Sequence, residues 1–468
     1  MILNKQIFLD KGSGNNWEQF EESHLFSHSQ TIDEKEYQEL KKKLLSNNNF
    51  LFYWSSPSEN FSFIAYGDIY SISRKEFKNL SKFDDLLKNL PFKIISNTKD
   101  ISDSAYPLFV GGIKFPSGKT KNLWKDFEFA KWSLPQILLL KQGTDYKIVI
   151  NIFGNEINEK IIWNNIEKVL SKEYQSEIEI TQEGEGQIKI LSNKSNSDFT
   201  QWSVQVESAL EKLSPQKLQK VVLARFNEIE FNVTPNIFKQ LQQLEFSYEN
   251  CITFAYKSGT SIFFGTTPEK LFKVKDGFVE TDALAGSIQR GIDTNEDRAL
   301  ELRLLEDNKN LTEHKSVVDF LLDRLTPFTE KILFDLQPTI KKYSNIQHLY
   351  SQIRGKLKTD VAIFSLLEKL YPTPAVCGFP GEDALKTINE LETFDRGLYS
   401  GIVGWFNLNG GSEFAVGIRS ALLCGNILHA FAGCGIVSGS DPLSEFNETE
   451  LKLKPILNLF ANETVYKS

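Results

Sequence analysis

The chain has one methionine, four cysteines and five histidines among 468 residues, and it has no long apolar run. Cys251, Cys377, Cys424 and Cys434 show no C-x-x-C spacing and sit in apolar or glycine-flanked segments. They read as buried, reduced thiols, so neither a disulfide framework nor a zinc site is expected. Nothing approaches ~18 consecutive uncharged apolar residues, and the segment from Met1 to Asp10 lacks a basic stretch followed by a long apolar one. A soluble, cytoplasmic protein with no membrane partner is therefore expected. The 53 Lys and Arg and 61 Asp and Glu residues are interspersed, for a net charge of -8, which argues against nucleic acid or an anionic lipid surface as partner.

What the chain does have is core material: 41% hydrophobic and 12% aromatic residues, ample for a sizeable interior. Its length would suit about three average domains or one large α+β enzyme. Residues 1–190 carry few chemical signals. Thr31 to Asn47 reads as a surface helix, and Phe50 to Tyr66 and Tyr106 to Phe115 read as strands. Ile137 to Gly143 leads into a strand over Tyr146 to Phe153. This part is expected to supply sheet and cover to a composite fold. The polar run Ser192 to Asp198 is the best candidate boundary, because it can solvate itself and cannot build a core.

Beyond it, charged groups stand at the ends of apolar segments. Lys220 opens the strand Lys220-Val-Val-Leu-Ala-Arg225, and Glu269 follows the strand Ser261 to Gly265 and a proline turn. Either could be a catalytic group presented at a strand end; equally, the lysine could reach to water and the glutamate could be a plain helix-entry acid. A long helix is expected from about Thr294 to Leu325, with Leu302, Leu305, Val317, Phe320 and Leu321 as its apolar stripe and Glu313 on that same stripe. A carboxylate there requires a partner or a metal. Leu370 to Pro380 holds three prolines and a glycine and cannot be helix. Phe414 to Leu422 alternates, with Phe414, Val416 and Ile418 on one face and Ala415, Gly417, Arg419 and Ala421 on the other. Arg419 would have room above it for a carboxylate ligand, or an internal ion pair with a glutamate. Finally, Phe431 to Val437 contains Gly433 and Gly435, whose bare N–H groups could hold an anion. A helix capped by Asp441 with Pro442 in its first turn follows, and Glu445, Glu448 and Lys452 share one of its faces. Acids early in a helix can also simply complement its dipole.

Together these segments resemble the chorismate-utilising enzymes: isochorismate, salicylate, anthranilate and aminodeoxychorismate synthases. The carrying motifs are Lys220 to Arg225, Thr267-Pro-Glu269, Ala283-Leu-Ala-Gly-Ser287, Glu313-His314, Pro372-Thr-Pro-Ala375, Phe394 to Gly404, Ile418-Arg419, and Ala432 to Val437 with Glu445, Glu448 and Lys452. They run in order through residues 198–462, the expected catalytic core, and hardly constrain residues 1–190. The look is that of isochorismate synthases.

That resemblance implies one α+β, aminodeoxychorismate-synthase-like domain of two packed, mainly antiparallel sheets flanked by helices. It implies Mg2+-dependent isomerisation of chorismate to isochorismate, for menaquinone or siderophore biosynthesis, by a monomer or weak dimer. By motif, Glu313 and Glu448 would ligate the metal with Glu445 nearby, and Mg2+ suits such hard oxygen donors. Lys220 would be the base activating water, and Glu269 the acid on the departing hydroxyl. Ala285, Gly286, Ser287, His314, Thr373, Tyr399, Arg419, Gly433, Gly435 and Lys452 would contact substrate. Ala285 stands where aminodeoxychorismate synthases often place a nucleophilic lysine, which argues against that chemistry. No Leu-Leu-Glu-Ser motif of anthranilate synthases occurs in the first third, while salicylate synthases share the same residue set. Tyr371, where relatives commonly have histidine, and Asn310, where many carry an acid, depart from the pattern.

Overall fold

The computed structural model describes residues 24–45, 48, 50–76, 79–96, 107–118, 122–154, 188–343, 346–461 and 464–465. The leader reading at Met1 to Asp10 lies outside them. In chain order the first elements are β1 (His24–Thr31), α1 (Glu34–Leu45), β2 (Phe52–Ser56), β3 (Phe61–Arg74), α2 (Lys82–Lys88), β4 (Lys93–Ser96), β5 (Leu108–Ile113), β6 (Ala130–Gln142) and β7 (Asp145–Gly154). Next come β8 (Lys189–Ser195), α3 (Phe199–Lys212), β9 (Lys220–Phe231), α4 (Phe238–Ser247), β10 (Ile252–Ser258), β11 (Ser261–Thr267), β12 (Lys270–Lys275) and β13 (Phe278–Gln289). Then follow α5 (Thr294–Glu306), α6 (Asn308–Leu325), β14 (Thr329–Phe334), β15 (Thr339–Lys342), β16 (Ile346–Leu357), α7 (Ile363–Leu370), β17 (Gly378–Phe379) and α8 (Gly381–Leu391). After these come β18 (Ile402–Asn407), β19 (Ser412–Val416), β20 (Ser420–Cys424), β21 (Ile427–Val437), α9 (Pro442–Leu457) and a short β22 (Thr464–Val465) parallel to β8.

Two long strands, β3 and β6, pair along their lengths and join two sheets. The outer half of β6, from Ile137, pairs with β7, and its first residues pair with β5. One sheet therefore runs β4-β1-β7-β6-β3-β2-β10-β11-β20-β21-β9, with β8 and β17 both on β9. The other runs β6-β5-β18-β19-β12-β13-β16, with β14 and β15 on β16. Within these two runs every pairing is antiparallel except β1 with β4. The expected α+β class and sheet pair hold.

Aromatic side chains explain why the sheets pack. Phe52, Trp54, Phe63, Phe254, Phe263, Trp405 and Phe431 fill the space between them. The alternate residues of the same strands, Tyr53, Ile64, Leu139 and Ile150, pack outward under α1 and α4 with Leu241 and Leu244. Trp132, Phe406 and Phe414 meet α7 through Phe364 on the far side of the second sheet. Strands buried on both faces lose the clean inside–outside alternation of a one-sided sheet, and each fully buried Phe contributes roughly 1.5–3 kcal/mol.

The structure corrects four sequence expectations. The run Ser192 to Asp198 is no linker: residues through Ser195 belong to β8 and pair with β9, and Asp198 caps α3 by accepting from the Gln201 N–H at 2.9 Å. β2 and β5 join β10 and β18 across that position. The helix expected over 294–325 is two helices, α5 and α6, because Asp307 leaves the helical region and its side chain caps α6 at the Asn310 N–H, 2.8 Å away. In α6 the buried stripe is His314, Val318, Leu321 and Leu325; Glu313 is exposed, and so is Leu302 of α5. The strand expected over 414–422 breaks into β19 and β20 around Arg419, whose φ is +50°, and Ala415, Gly417 and Ala421 are buried along with their neighbours.

Candidate active site

The candidate site lies where the start of β9 and the end of β21 come near the turn between β11 and β12. Lys220 is the first residue of β9, opposite Val437 on one side and Phe379 on the other. Its stem lies across Gly435, where any Cβ would stand 2.6 Å from the Lys220 Cε. At Gly433 a Cβ would meet the Leu223 carbonyl at 2.7 Å and the Tyr399 hydroxyl at 3.0 Å. Glycine at both positions is thus a matter of close approach.

The ladder decides where these glycines direct their polar groups. Val222, opposite Gly435, donates its N–H to the Cys377 carbonyl and gives its carbonyl to Arg396. Ala224, opposite Gly433, donates its N–H to Glu392. Both β9 residues spend backbone groups away from β21, so these are non-hydrogen-bonded pairs. Gly433 and Gly435 therefore turn their own N–H and C=O groups to the other edge of β21, past the point where β20 stops pairing at Phe431. There the Gly433 carbonyl accepts from the Lys452 Nζ at 3.0 Å.

Glu269 sits between β11 and β12, its carbonyl held by the Val416 N–H at 3.0 Å. Its Oε1 accepts from the Thr373 hydroxyl at 2.9 Å. Burial pushes this carboxyl above its ordinary value, against the downward pull of the Thr373 hydrogen bond and the Lys220 and Lys452 charges. Glu269 and both lysines therefore share one electrostatic neighbourhood. Arg419 faces it too: burial works against its charge, with the Cys251, Tyr248, Tyr399 and Glu448 groups opposing. Among the described residues its guanidinium has no hydrogen-bond acceptor. Tyr399 lies stacked on Phe431 at 5.1 Å, its hydroxyl pushed up chiefly by burial.

The β13 segment arrives through a bulge. Gly286, at φ +73°, shifts the β13–β16 register between Ala285 and Ser287. It brings the exposed Ser287 hydroxyl 2.6 Å from the His348 Nδ1. Burial, then the Arg419 charge, lowers His348 to about 4, so its imidazole is neutral at ordinary pH. The sequence reading missed His348: a lone histidine in a strand carries no signal until the register places it. His314, expected at the substrate, is instead buried in the seam between α6 and the sheet, bonded through Nε2 to the Ser351 hydroxyl at 3.0 Å.

The three glutamates expected at a metal come from α6 and α9. Glu313 Oε1 lies 3.9 Å from the Lys220 Nζ, and Glu448 Oε1 lies 2.6 Å from the Lys452 Nζ. Asp441 caps α9 through the Ser444 N–H at 2.8 Å, as expected. Among the described residues no three His, Cys, Asp or Glu side chains are gathered into a ready-made metal cage. The donor chemistry nonetheless suits Mg2+, which typically takes one or two carboxylates and keeps several waters: Glu313 and Glu448 are half-exposed, hard oxygen donors, and a bound ion would have to draw them from the lysines they now face.

Two departures from the family pattern have structural occupations. The Tyr371 hydroxyl donates to the Ser400 carbonyl at 2.6 Å, and Asn310 packs its Cβ 3.1 Å from where a side chain on Gly286 would begin. Three further polar groups escaped the sequence reading, namely Arg225, Glu392 and Arg396, all buried behind β9. Arg225 ties β9 to α9 through the Thr449 hydroxyl at 2.7 Å, Glu450 and the Phe446 ring. A cleft of about 480 Å³ lined by Phe226, Phe394, Asp395 and His429, among others, contains none of the expected site residues.

Comparison with known proteins bears on the family and the fold. The family model described as chorismate binding enzyme matches residues 12–461. The isochorismate synthase MenF of Bacillus subtilis (strain 168) is 30% identical over 421 residues, covering 88% of this chain and 88% of that protein. The salicylate biosynthesis isochorismate synthase of Pseudomonas aeruginosa is 29% identical over 408 residues, covering 86% and 83%. The solved structure of MenF, the menaquinone-specific isochorismate synthase of Escherichia coli, superposes with a TM-score of 0.76 at 24% identity, over 94% of this chain and 95% of that one. No helix among the described residues is long and apolar enough to cross a membrane. The family match over residues 12–461, with a relative 30% identical over 88% of each chain, places this chain in the chorismate-binding enzyme family.

Proposed function

We propose that the chain is an Mg2+-dependent isochorismate synthase. The observation that carries this reading is the setting of Lys220 and Glu269: the Lys220 stem lies across Gly435, its charge acts on the Glu269 carboxyl, and that carboxyl, held by the Thr373 hydroxyl, has its proton favoured by burial. Lys220 as base takes a proton from water as the water oxygen bonds to ring carbon 2. The ring double bonds shift, the bond from carbon 4 to its hydroxyl breaks, and Glu269 gives that oxygen a proton. One water enters and one leaves, so substrate and product are isomers. General acid and base groups of this kind typically supply 10²–10⁴-fold each.

Arg419 and Lys452, with the outward N–H groups of Gly433 and Gly435, would hold the substrate's carboxylates, and Thr373 fixes the acid. Ala285 offers no amine to attack the ring. Glu313 and Glu448 would hold Mg2+ with Glu445 nearby, and the bound ion would anchor the ring carboxylate. Similarity to isochorismate synthases over most of the length supports the same product, destined for menaquinone or siderophore synthesis.

The test is mass-resolved chromatography of products from chorismate with and without Mg2+, together with a lactate dehydrogenase-coupled assay for pyruvate. Isochorismate without pyruvate is expected. Salicylate with pyruvate would replace this reading by a salicylate synthase, and anthranilate formed with ammonia by an anthranilate synthase.

A further inference from the structure

Behind the reacting groups lies a buried polar device. Arg396 is fully enclosed, and its guanidinium reaches three partners: Nε to Glu392 Oε2 at 2.9 Å, Nη1 to the Val376 carbonyl at 2.9 Å, and Nη2 to the Val222 carbonyl at 2.7 Å, with a further Nη2 contact to Glu392 Oε1. Its face covers the Phe115 ring at 4.5 Å. Glu392 Oε1 in turn accepts from the Ala224 N–H at 2.9 Å. Neither Val222 nor Ala224 is remote from the chemistry: they follow Lys220 on β9. Val376 is not remote either, because the N–H groups of Val376 and Cys377 close a turn onto the Thr373 carbonyl at 3.2 and 3.0 Å, and the Thr373 hydroxyl holds Glu269. The pair thus bridges the strand that carries the base to the turn that carries the acid's hydrogen-bond donor.

We propose that Glu392 and Arg396 are positioning residues that set the separation of Lys220 and Glu269. This rests on the roles given to those two groups above. A buried ion pair is weak grounds for stability, since apolar replacements often do as well. A planar fork that spans two backbone segments does something an apolar pair cannot. It fixes their spacing, and misplacement by about 1 Å can cost roughly 10²-fold in rate.

Arg396→Lys is the discriminating variant. It keeps the charge opposite Glu392, but three freely rotating donors at one point cannot replace the planar fork that serves both Glu392 oxygens and the Val222 and Val376 carbonyls at once. The expected result is a cooperatively folding protein whose kcat falls roughly 10–100-fold while KM for chorismate stays within about threefold. The clamp holds Thr373, whose hydrogen bond keeps the Glu269 proton more acidic than burial alone would. The alkaline limb of kcat should therefore move to higher pH, in the same direction as in Thr373→Val. Wild-type kcat and an unmoved limb in folded Arg396→Lys would overturn the proposal. Should that variant fail to fold, Glu392→Gln, which keeps an acceptor for the Ala224 N–H, carries the same two expectations and the same contrary result. The assignment of the reaction fails separately: wild-type chain making no isochorismate would sink it, while the ratio of variant to wild type on whatever chorismate turnover exists would still judge the clamp.

Discussion

Two regions of the molecule treat arginine in opposite ways. Behind β9, Arg225 and Arg396 are fully buried and reach hydroxyls, carbonyls and carboxylates on every side. At the mouth, Arg419 bears the cost of burial without one hydrogen-bond acceptor among the described residues. A guanidinium satisfied on all sides is a structural tie, whereas one left open is suited to a carboxylate from outside. The same contrast separates Glu392, locked to Arg396, from Glu269, whose carboxyl has just the Thr373 hydroxyl as donor among the described residues, and a favoured proton.

Variants in the two regions should diverge. The largest effect falls on Lys220→Ala at the front: turnover drops by roughly 10²–10⁴-fold, while Mg2+-dependent chorismate binding stays measurable by calorimetry. Near-normal turnover would remove Lys220 from the chemistry. Next, Arg419→Ala should raise KM roughly 10–100-fold by losing charge-assisted hydrogen bonds with the melting temperature unchanged or higher. Arg225→Ala should do the reverse, costing about 3 kcal/mol of stability with little change in KM; thermal melts and steady-state kinetics on both variants sharpen or erase the contrast. A smaller shift is expected in Glu313→Gln, whose Mg2+ requirement should rise roughly tenfold, read from rate against Mg2+ concentration.

The smallest effect concerns pH. Burial raises the folded pKa of Glu269 above its ordinary value of 4.5, so between that value and its folded pKa the native state binds more protons than the unfolded chain. Stability must then fall as pH rises through this window. Glu269→Gln, which cannot ionise, should flatten that slope in denaturant titrations at several pH values while abolishing turnover.

Much of this was legible in the sequence, for identifiable reasons. Asp441, Pro442 and the shared face of α9 follow from local rules, and the structure keeps them. The placing of Lys220 and Glu269 at strand edges was equally readable. The place of Glu313 on α6 is harder to read: Val317 and Phe320, its expected stripe partners, are only half-buried, and the buried line runs one residue on, through His314, Val318, Leu321 and Leu325, a turn of about 100° that the spacing of apolar residues alone does not settle. Arg419 was assigned to a continuous strand because alternation cannot reveal a left-handed residue in mid-run. His348 and the Glu392–Arg396 pair depend on register and on partners far away in the chain, such as Ser287 and Val222, which no local pattern reports.

The claim that Lys220 and Glu269 together exchange one hydroxyl for another is tested most directly by turnover in ¹⁸O-labelled water with Mg2+. The account predicts isochorismate carrying one label, at ring carbon 2, and no label in recovered chorismate short of equilibrium. Unlabelled isochorismate, or a labelled product that has lost pyruvate, would contradict it.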